Sequence, residues 1–267
     1  MIFVKIAFSD FDGTLYFHNQ ENIPRVNIEM VKKWREAGNM FVLCSGRDVH
    51  SLMHEVKNQK LMYDYVICNN GGSIFDNNLN LIKSFPLNKE QLSKLIYSEI
   101  VKESWHILYS SAEKMRVTIQ NPKSQLLKYF ELEKYNGQDI IRKIGIEQAL
   151  KEMNPIQISL AYENEDIATK YAKQIEENFD HVFSANLNLN CIDICSKGIN
   201  KAQGVQTLLD LYPSKQFSQV LTIGDAQNDV PMIAKYDGYS LHSATTYAKK
   251  VAQKLYDNVG DMLEENL

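Results

Sequence analysis

Short, strongly apolar runs that stop abruptly at Asp, Ser, Gly or Asn constrain this chain most. Residues 2–9 (IFVKIAFS), 40–44 (MFVLC) and 65–68 (YVIC) are strand candidates, and helical stretches separate them. The segment VNIEMVKKWREAG has helical composition and closes on Gly38, in a helix-stop position. Residues 48–59 form the next helix candidate. Apolar strands alternating with helices predict βαβ units, because a parallel sheet is covered on both faces and its strands carry few polar residues.

The pattern changes after residue 72. Two short β segments flank Asp76-Asn77-Asn78, a turn signal. A helix over 89–103, paired strands at 105–110 and 114–119, more helix, a strand at 156–161, a helix at 166–178 and a strand at 181–184 follow. Paired strands with helices between them predict a separate α+β lobe. The βα alternation resumes with strands at 191–195 and 219–223. The expected fold class is therefore α/β: a Rossmann-like parallel-sheet core of residues 1–82 and 187–267, interrupted by an α+β insertion of residues 83–186.

The 267 residues suffice for such a core plus a lobe without disulfide or metal staples. A composition of 44% hydrophobic and 23% charged residues excludes disordered and fibrous classes. A net charge of −4 offers no attraction to nucleic acid or to an anionic membrane. The opening MIFVKIAFSDFDGTL reads as a strand, not a secretory signal, and no apolar run reaches a membrane-spanning length. Cys44, Cys68, Cys191 and Cys195 form no CxxC pair and read as reduced core thiols. These features predict a cytoplasmic protein.

Four clusters carry chemistry. Asp10-Phe11-Asp12-Gly13-Thr14-Leu15 closes the first strand, with carboxylates at i and i+2 and a glycine for a sharp exit. One carboxylate of such a pair can stay ionised while the other exchanges a proton. Ser45-Gly46-Arg47 combines a hydroxyl, backbone N–H groups at a helix start and a guanidinium, a set that suits phosphate. Ser196-Lys197-Gly198-Ile199-Asn200-Lys201 offers two lysines near a helix start. Gly224-Asp225-Ala226-Gln227-Asn228-Asp229 supplies hard oxygen ligands suited to Mg2+. Alone, each also reads as a surface turn, a helix cap or a solvated face. Each follows an expected parallel strand, so all four should meet at one sheet edge.

Together these motifs resemble the phosphatases of the haloacid dehalogenase superfamily. DFDGTL resembles their first motif, Ser45 in CSGR the second, Lys201 the third and GDAQND the fourth. CNNGGSIFD, with Asn70-Gly71, and KGxxK resemble the Cof-type subfamily, whose large α+β cap lies between motifs two and three. Two departures stand out: Ala226 replaces the usual glycine, and GYSLHSATTYAKK lacks the family's usual tail motif. Lys201 fits the third motif by its place after Gly-Ile-Asn, with Lys197 as the alternative.

The resemblance implies that Asp10 attacks phosphorus and that Asp12 protonates the leaving alcohol, then activates water. It implies Mg2+ between Asp10, the Asp12 carbonyl and Asp225, with Asp229 as a further ligand or an orienter. Thr14, Ser45, Gly46, Lys201 and Asn228 would hold phosphate oxygens; Arg47, Asn70 and Gly71 would face the substrate. Cap residues Arg116, Tyr109 and Lys114 are candidates for substrate contact or for a solvated face. The expected activity is a Mg2+-dependent phosphatase of small phosphorylated metabolites, such as sugar phosphates. A sugar-phosphate phosphomutase and a non-catalytic phosphate-ligand sensor are the alternatives. A small phosphate ester is the expected partner, with no nucleic acid, membrane or obligate protein partner.

Overall fold

In the computed structural model, residues 4–17, 22–57, 59–125, 141–212 and 217–267 are described. The first elements are β1 (Lys5–Ser9), α1 (Arg25–Glu36), β2 (Met40–Cys44), α2 (Val49–Val56), β3 (Tyr65–Cys68), β4 (Ser73–Asp76) and β5 (Leu81–Ser84). Then come α3 (Lys89–Ile96), α4 (Glu99–Lys102), β6 (His106–Ser110), β7 (Met115–Ile119), β8 (Ile141–Lys143), α5 (Ile146–Glu152), β9 (Gln157–Ala161), α6 (Glu165–Phe179), β10 (Phe183–Asn188) and β11 (Cys191–Ser196). The last are α7 (Lys201–Leu209), β12 (Gln219–Gly224), α8 (Val230–Lys235), β13 (Asp237–Leu241), α9 (Thr246–Val251), β14 (Lys254–Tyr256) and α10 (Val259–Glu265). Much of the further helix expected between the strands at 114–119 and 156–161 lies outside the described residues; α5 is the described part.

The chain divides into two compact units, one of Met1–Lys83 with Asn200–Leu267 and one of Ser84–Ile199. The first holds an eight-stranded sheet in the order β14-β13-β12-β1-β2-β3-β4-β5. Strands β14 to β3 pair in parallel, and β4 turns back antiparallel on β3. Ile6, Ala7 and Phe8 of β1 are fully buried, as expected for a central strand covered on both faces. Each large apolar side chain removed from water there contributes about 1.5–3 kcal/mol. Helix α1 buries Met30, Val31 and Trp34, and the Trp34 indole donates to the Met40 carbonyl at 2.9 Å. That bond ties the end of the helix to the start of β2.

The second unit holds a six-stranded sheet, β10-β11-β9-β6-β7-β8, antiparallel except for the β7–β8 pair. Ile158 and Leu160 of β9 join Ile107 of β6 and Ile192 and Ile194 of β11 in one core with Leu92, Leu95, Ala168 and Ile175 of the helices. Alternate residues such as Gln157 and Ser159 point to the other face. The helix expected over 89–103 is two helices. Ser98 takes an extended conformation between them, and its hydroxyl bonds back to the Leu95 carbonyl at 2.6 Å.

Strand β11 is a correction to the sequence reading. It pairs antiparallel with β9 and β10, so it belongs to the second sheet and not to the parallel core. The second unit accordingly runs on to Ile199. Asp193 between Ile192 and Ile194 is the alternation of an antiparallel strand, but in six residues four apolar side chains read equally well as a buried parallel run. Tyr109 and Arg116 are also placed differently. They face each other across β6 and β7, and both are buried, so neither lies on a solvated face. Lys114 sits half-buried in the turn between those strands.

Candidate active site

Strands β12, β1, β2 and β3 lie side by side in parallel, so their C-terminal ends form one edge. Asp10 follows β1, and its N–H extends the ladder to the Ile223 carbonyl at 2.9 Å. Ser45 follows β2, Asn69 follows β3, and Asp225 follows β12. This edge gathers three of the four clusters because each polar residue comes directly after an apolar run that must be buried. The fourth arrives differently. Lys201 opens α7, where the Asn200 side chain caps the helix by accepting from Gln203 N–H at 3.0 Å.

Loop 69–71 fixes where that helix lies. Asn69, Asn70 and Gly71 all have positive φ, at 53°, 52° and 97°. A Cβ on Gly71 would stand 2.2 Å from the Asn200 carbonyl oxygen. Gly71 is therefore a spacer that admits the start of α7 and so sets Lys201. Gly13 has a related role: its φ is +83°, and a Cβ there would meet Asp225 Oδ2 at 2.6 Å.

Lys201 is 1% exposed, and its Nζ donates to Asp10 Oδ1 and to Asp229 Oδ1, each at 2.5 Å. Asp229 Oδ2 accepts the backbone N–H groups of Asp225 and Ala226, both at 3.0 Å. Both Asp229 oxygens are thus occupied by donors, which casts Asp229 as the orienter of the loop and the lysine. Asp225 Oδ1 accepts from the Thr14 hydroxyl at 2.7 Å. Thr14, expected on phosphate, has its hydroxyl on Asp225. Ala226 has an extended backbone, so this turn does not need the glycine that usually stands there.

Asp10, Asp225 and Asp229 each present an oxygen within 4.8 Å of the others. Burial, then the Asp229 charge, holds the Asp10 carboxyl well above the usual carboxylate range, with Lys201 pulling the other way. Burial also raises Asp225. Burial opposes the Lys201 ammonium, but Asp10 and Asp229 outweigh it and keep it charged. Among the described residues, none donates a hydrogen bond to the buried Asp10 Oδ2. One ammonium facing three carboxylates, oxygen-only donors and an orphaned carboxylate oxygen fit a hard divalent cation. Neighbouring Cys44 is a thiol pushed up to about 12 by burial, and inert.

A second cluster lies beside the first. Arg47 grips Asp12 with a two-point fork, Nε to Oδ2 at 2.8 Å and Nη2 to Oδ1 at 2.6 Å. The guanidinium expected to face phosphate or substrate is placed on Asp12. Ser45 Oγ accepts from Arg47 N–H at 3.1 Å. Asn228 Nδ2 donates to Asn70 Oδ1 at 3.0 Å, joining the loops after β12 and β3, and Gly46 packs against that Asn70 amide. Lys197, by contrast, is exposed and belongs to the second unit. Glu55 and Tyr16, which also approach this cluster, carry no motif in the sequence, and only the fold brings them near.

A parallel sheet with Asp10, Asp12, Lys201 and Asp225 at its C-terminal edge defines a class, and comparison with known proteins gives the same one. The profile of the haloacid dehalogenase-like hydrolases matches residues 7–261, and the chain belongs to that family. Within it the chain is a phosphoric monoester hydrolase of the Cof type, in a family whose phosphatases generally use a divalent metal. A Bacillus subtilis protein named 5-amino-6-(5-phospho-D-ribitylamino)uracil phosphatase YcsE is 20% identical, over 97% of this chain and 92% of its own. The phosphatase BT1666 from Bacteroides thetaiotaomicron superposes with a TM-score of 0.79, at 21% identity, covering 99% of this chain and 94% of that one. The subclass IIB sugar phosphatase BT4131 gives 0.80 at 17% identity, covering 98% and 99%. No helix among the described residues is long and apolar enough to cross a membrane.

Proposed function

We propose that this chain is a Mg2+-dependent phosphatase of small phosphorylated metabolites that works through an aspartyl-phosphate. The observation that carries this is the buried Lys201 bridging Asp10 and Asp229 while Asp10 Oδ2 is left without a donor among the described residues. Asp10 and Asp225 would hold the cation, which when bound offsets carboxylate repulsion and draws charge from the phosphoryl oxygens. The Asp10 carboxylate attacks phosphorus in line, and the P–O bond to the leaving alcohol breaks. Asp12, after one of its oxygens leaves the Arg47 fork and takes a proton from solvent, gives that proton to the departing oxygen. It then takes a proton from water, which attacks the aspartyl-phosphate, releases inorganic phosphate and restores Asp10. Lys201 opposes charge at Asp10 and at the phosphate, and Asp229 holds Lys201 in place.

The names of the relatives, a phosphoribitylaminouracil phosphatase and a sugar phosphatase, support a small polyhydroxylated phosphate monoester as substrate. The second unit, as a cap of the Cof type, would select the leaving group. No disulfide joins Cys44, Cys68, Cys191 and Cys195, in keeping with a cytoplasmic setting. The test is a panel of phosphorylated metabolites assayed with Mg2+ and after exhaustive EDTA treatment. Free phosphate should appear only with metal. Full activity in EDTA, or an isomeric sugar phosphate as product, would overturn the reading.

A further inference from the structure

We infer that Glu55, acting through Arg47, is a positioning residue that sets the direction of the Asp12 carboxylate; this rests on the proton-transfer role proposed for Asp12. Asp12 stands on a loop with its side chain 32% exposed. A carboxylate so placed turns freely unless something fixes its plane. The Arg47 fork does this, because two parallel N–H···O bonds define the plane of the acceptor as well as its distance.

Arg47 is itself held on its remaining sides. Its guanidinium lies over the fully buried Phe11 ring, 5.6 Å from the centroid. Its Nη1 donates to the Ser51 carbonyl at 3.4 Å and lies 3.8 Å from Glu55 Oε1. Glu55 is anchored in turn, since Oε2 accepts the Tyr16 hydroxyl at 3.2 Å and Tyr16 stacks on Phe11 at 5.0 Å. Phe11, Tyr16, Glu55 and Arg47 therefore form a closed ring of contacts. That ring includes the residue between Asp10 and Asp12, so the setting of the fork is tied to the loop that carries both carboxylates. Glu55 neutralises the side of the guanidinium turned away from Asp12. Without that charge, Arg47 has less reason to keep one orientation.

The chemistry supplies a readout that a purely structural role would not move. Phenolate is a much poorer leaving group than p-nitrophenolate, so phenyl phosphate depends on protonation of the departing oxygen and p-nitrophenyl phosphate depends on it little. The two esters share a shape, so binding changes affect them alike. Asp12→Asn should lose about 10²-fold more kcat on phenyl phosphate than on p-nitrophenyl phosphate, within the usual span of general acid catalysis. Arg47→Lys keeps the charge but loses the fork, and should show the same preference at about tenfold. Glu55→Gln keeps the shape and loses the charge, and should show it at about threefold, with KM for both esters little changed.

Equal losses on both esters in Arg47→Lys and Glu55→Gln, with the Asp12→Asn preference intact, would overturn the inference and leave the proposed mechanism standing. A rise in KM with kcat held would also overturn it, by placing Arg47 on the substrate. No ester preference in Asp12→Asn would remove the acid role, and the inference with it.

Discussion

Lys201 and Arg47 each hold carboxylates at the same sheet edge, in opposite surroundings. The Lys201 side chain is 1% exposed and is shared by two buried carboxylates, Asp10 at 7% and Asp229 at 0%. The Arg47 side chain is 21% exposed, between Asp12 and Glu55, which are exposed by 32% and 22%. Removing an ion from water is expensive, and only tight pairing offsets it. The buried cluster cannot give up a partner cheaply, so it suits groups whose charge must persist: a nucleophile, its counter-charge and a cation's ligands. The wetter cluster is open to solvent, so its partners can separate and re-form at little cost. The contrast teaches that one strand-end motif, Asp10-Phe11-Asp12, is divided between two dielectric environments by the arginine and the lysine that reach it.

The largest expected effect tests whether the buried side is the chemical one. Asp10→Asn should lower kcat on the order of 10⁴-fold or more, the scale of losing a covalent nucleophile. Residual activity within tenfold of the wild type would erase the distinction between the clusters.

Next comes the contrast itself, read as stability. Lys201→Met leaves Asp10 and Asp229 buried without their ammonium and should destabilise by about 3–5 kcal/mol in urea unfolding, with kcat lost as well. Arg47→Met exposes its partners to water and should cost about 1 kcal/mol or less. Equal losses would mean that burial does not separate the two sites.

A smaller shift runs the other way. In metal-free protein, Asp225→Asn should raise Tm by about 2–4 °C for each kcal/mol of repulsion and desolvation relieved. The folded pKa of Asp225 is raised, by burial first. Below about pH 4 folded and unfolded chains are both protonated there, so the substitution should matter little. Above it the unfolded chain ionises first and the native state loses stability up to the folded pKa. The gain from Asn should therefore grow from acid toward neutral pH, and Mg2+ should raise Tm in the wild type but not in the variant. A gain that shrinks as pH rises would contradict this sign.

The smallest expected effect sharpens the assignment of the third motif. Lys197→Ala should stay within about 0.5 kcal/mol of the wild type and keep its kcat/KM, as an exposed lysine does. An inactive Lys197→Ala beside an active Lys201→Met would move the motif back by one helical turn.

Much of the site was legible in the sequence because it is local. Asp10, Ser45, Asn70 and Asp225 all come at or just after the end of an apolar run, and a parallel sheet puts such ends on one edge. Lys201 was legible by its place after Gly-Ile-Asn, although the strand before it is antiparallel and belongs to the other sheet. The step from β11 to α7 crosses from the second unit back to the first, and composition does not report which sheet a strand joins.

What the sequence determined alone is the alternation of strand and helix and the residue types waiting at the strand ends, since period, apolarity and turn chemistry act over a few neighbours. The tertiary structure decided what each side chain spends its bonds on. Thr14 serves Asp225, Gly71 makes room for α7, Arg47 serves Asp12, and Asp229 is filled by Lys201 and two backbone N–H groups. Those choices join residues as far apart as 14 and 225. A hydrogen bond depends on where two groups meet in space, and no local pattern encodes that meeting.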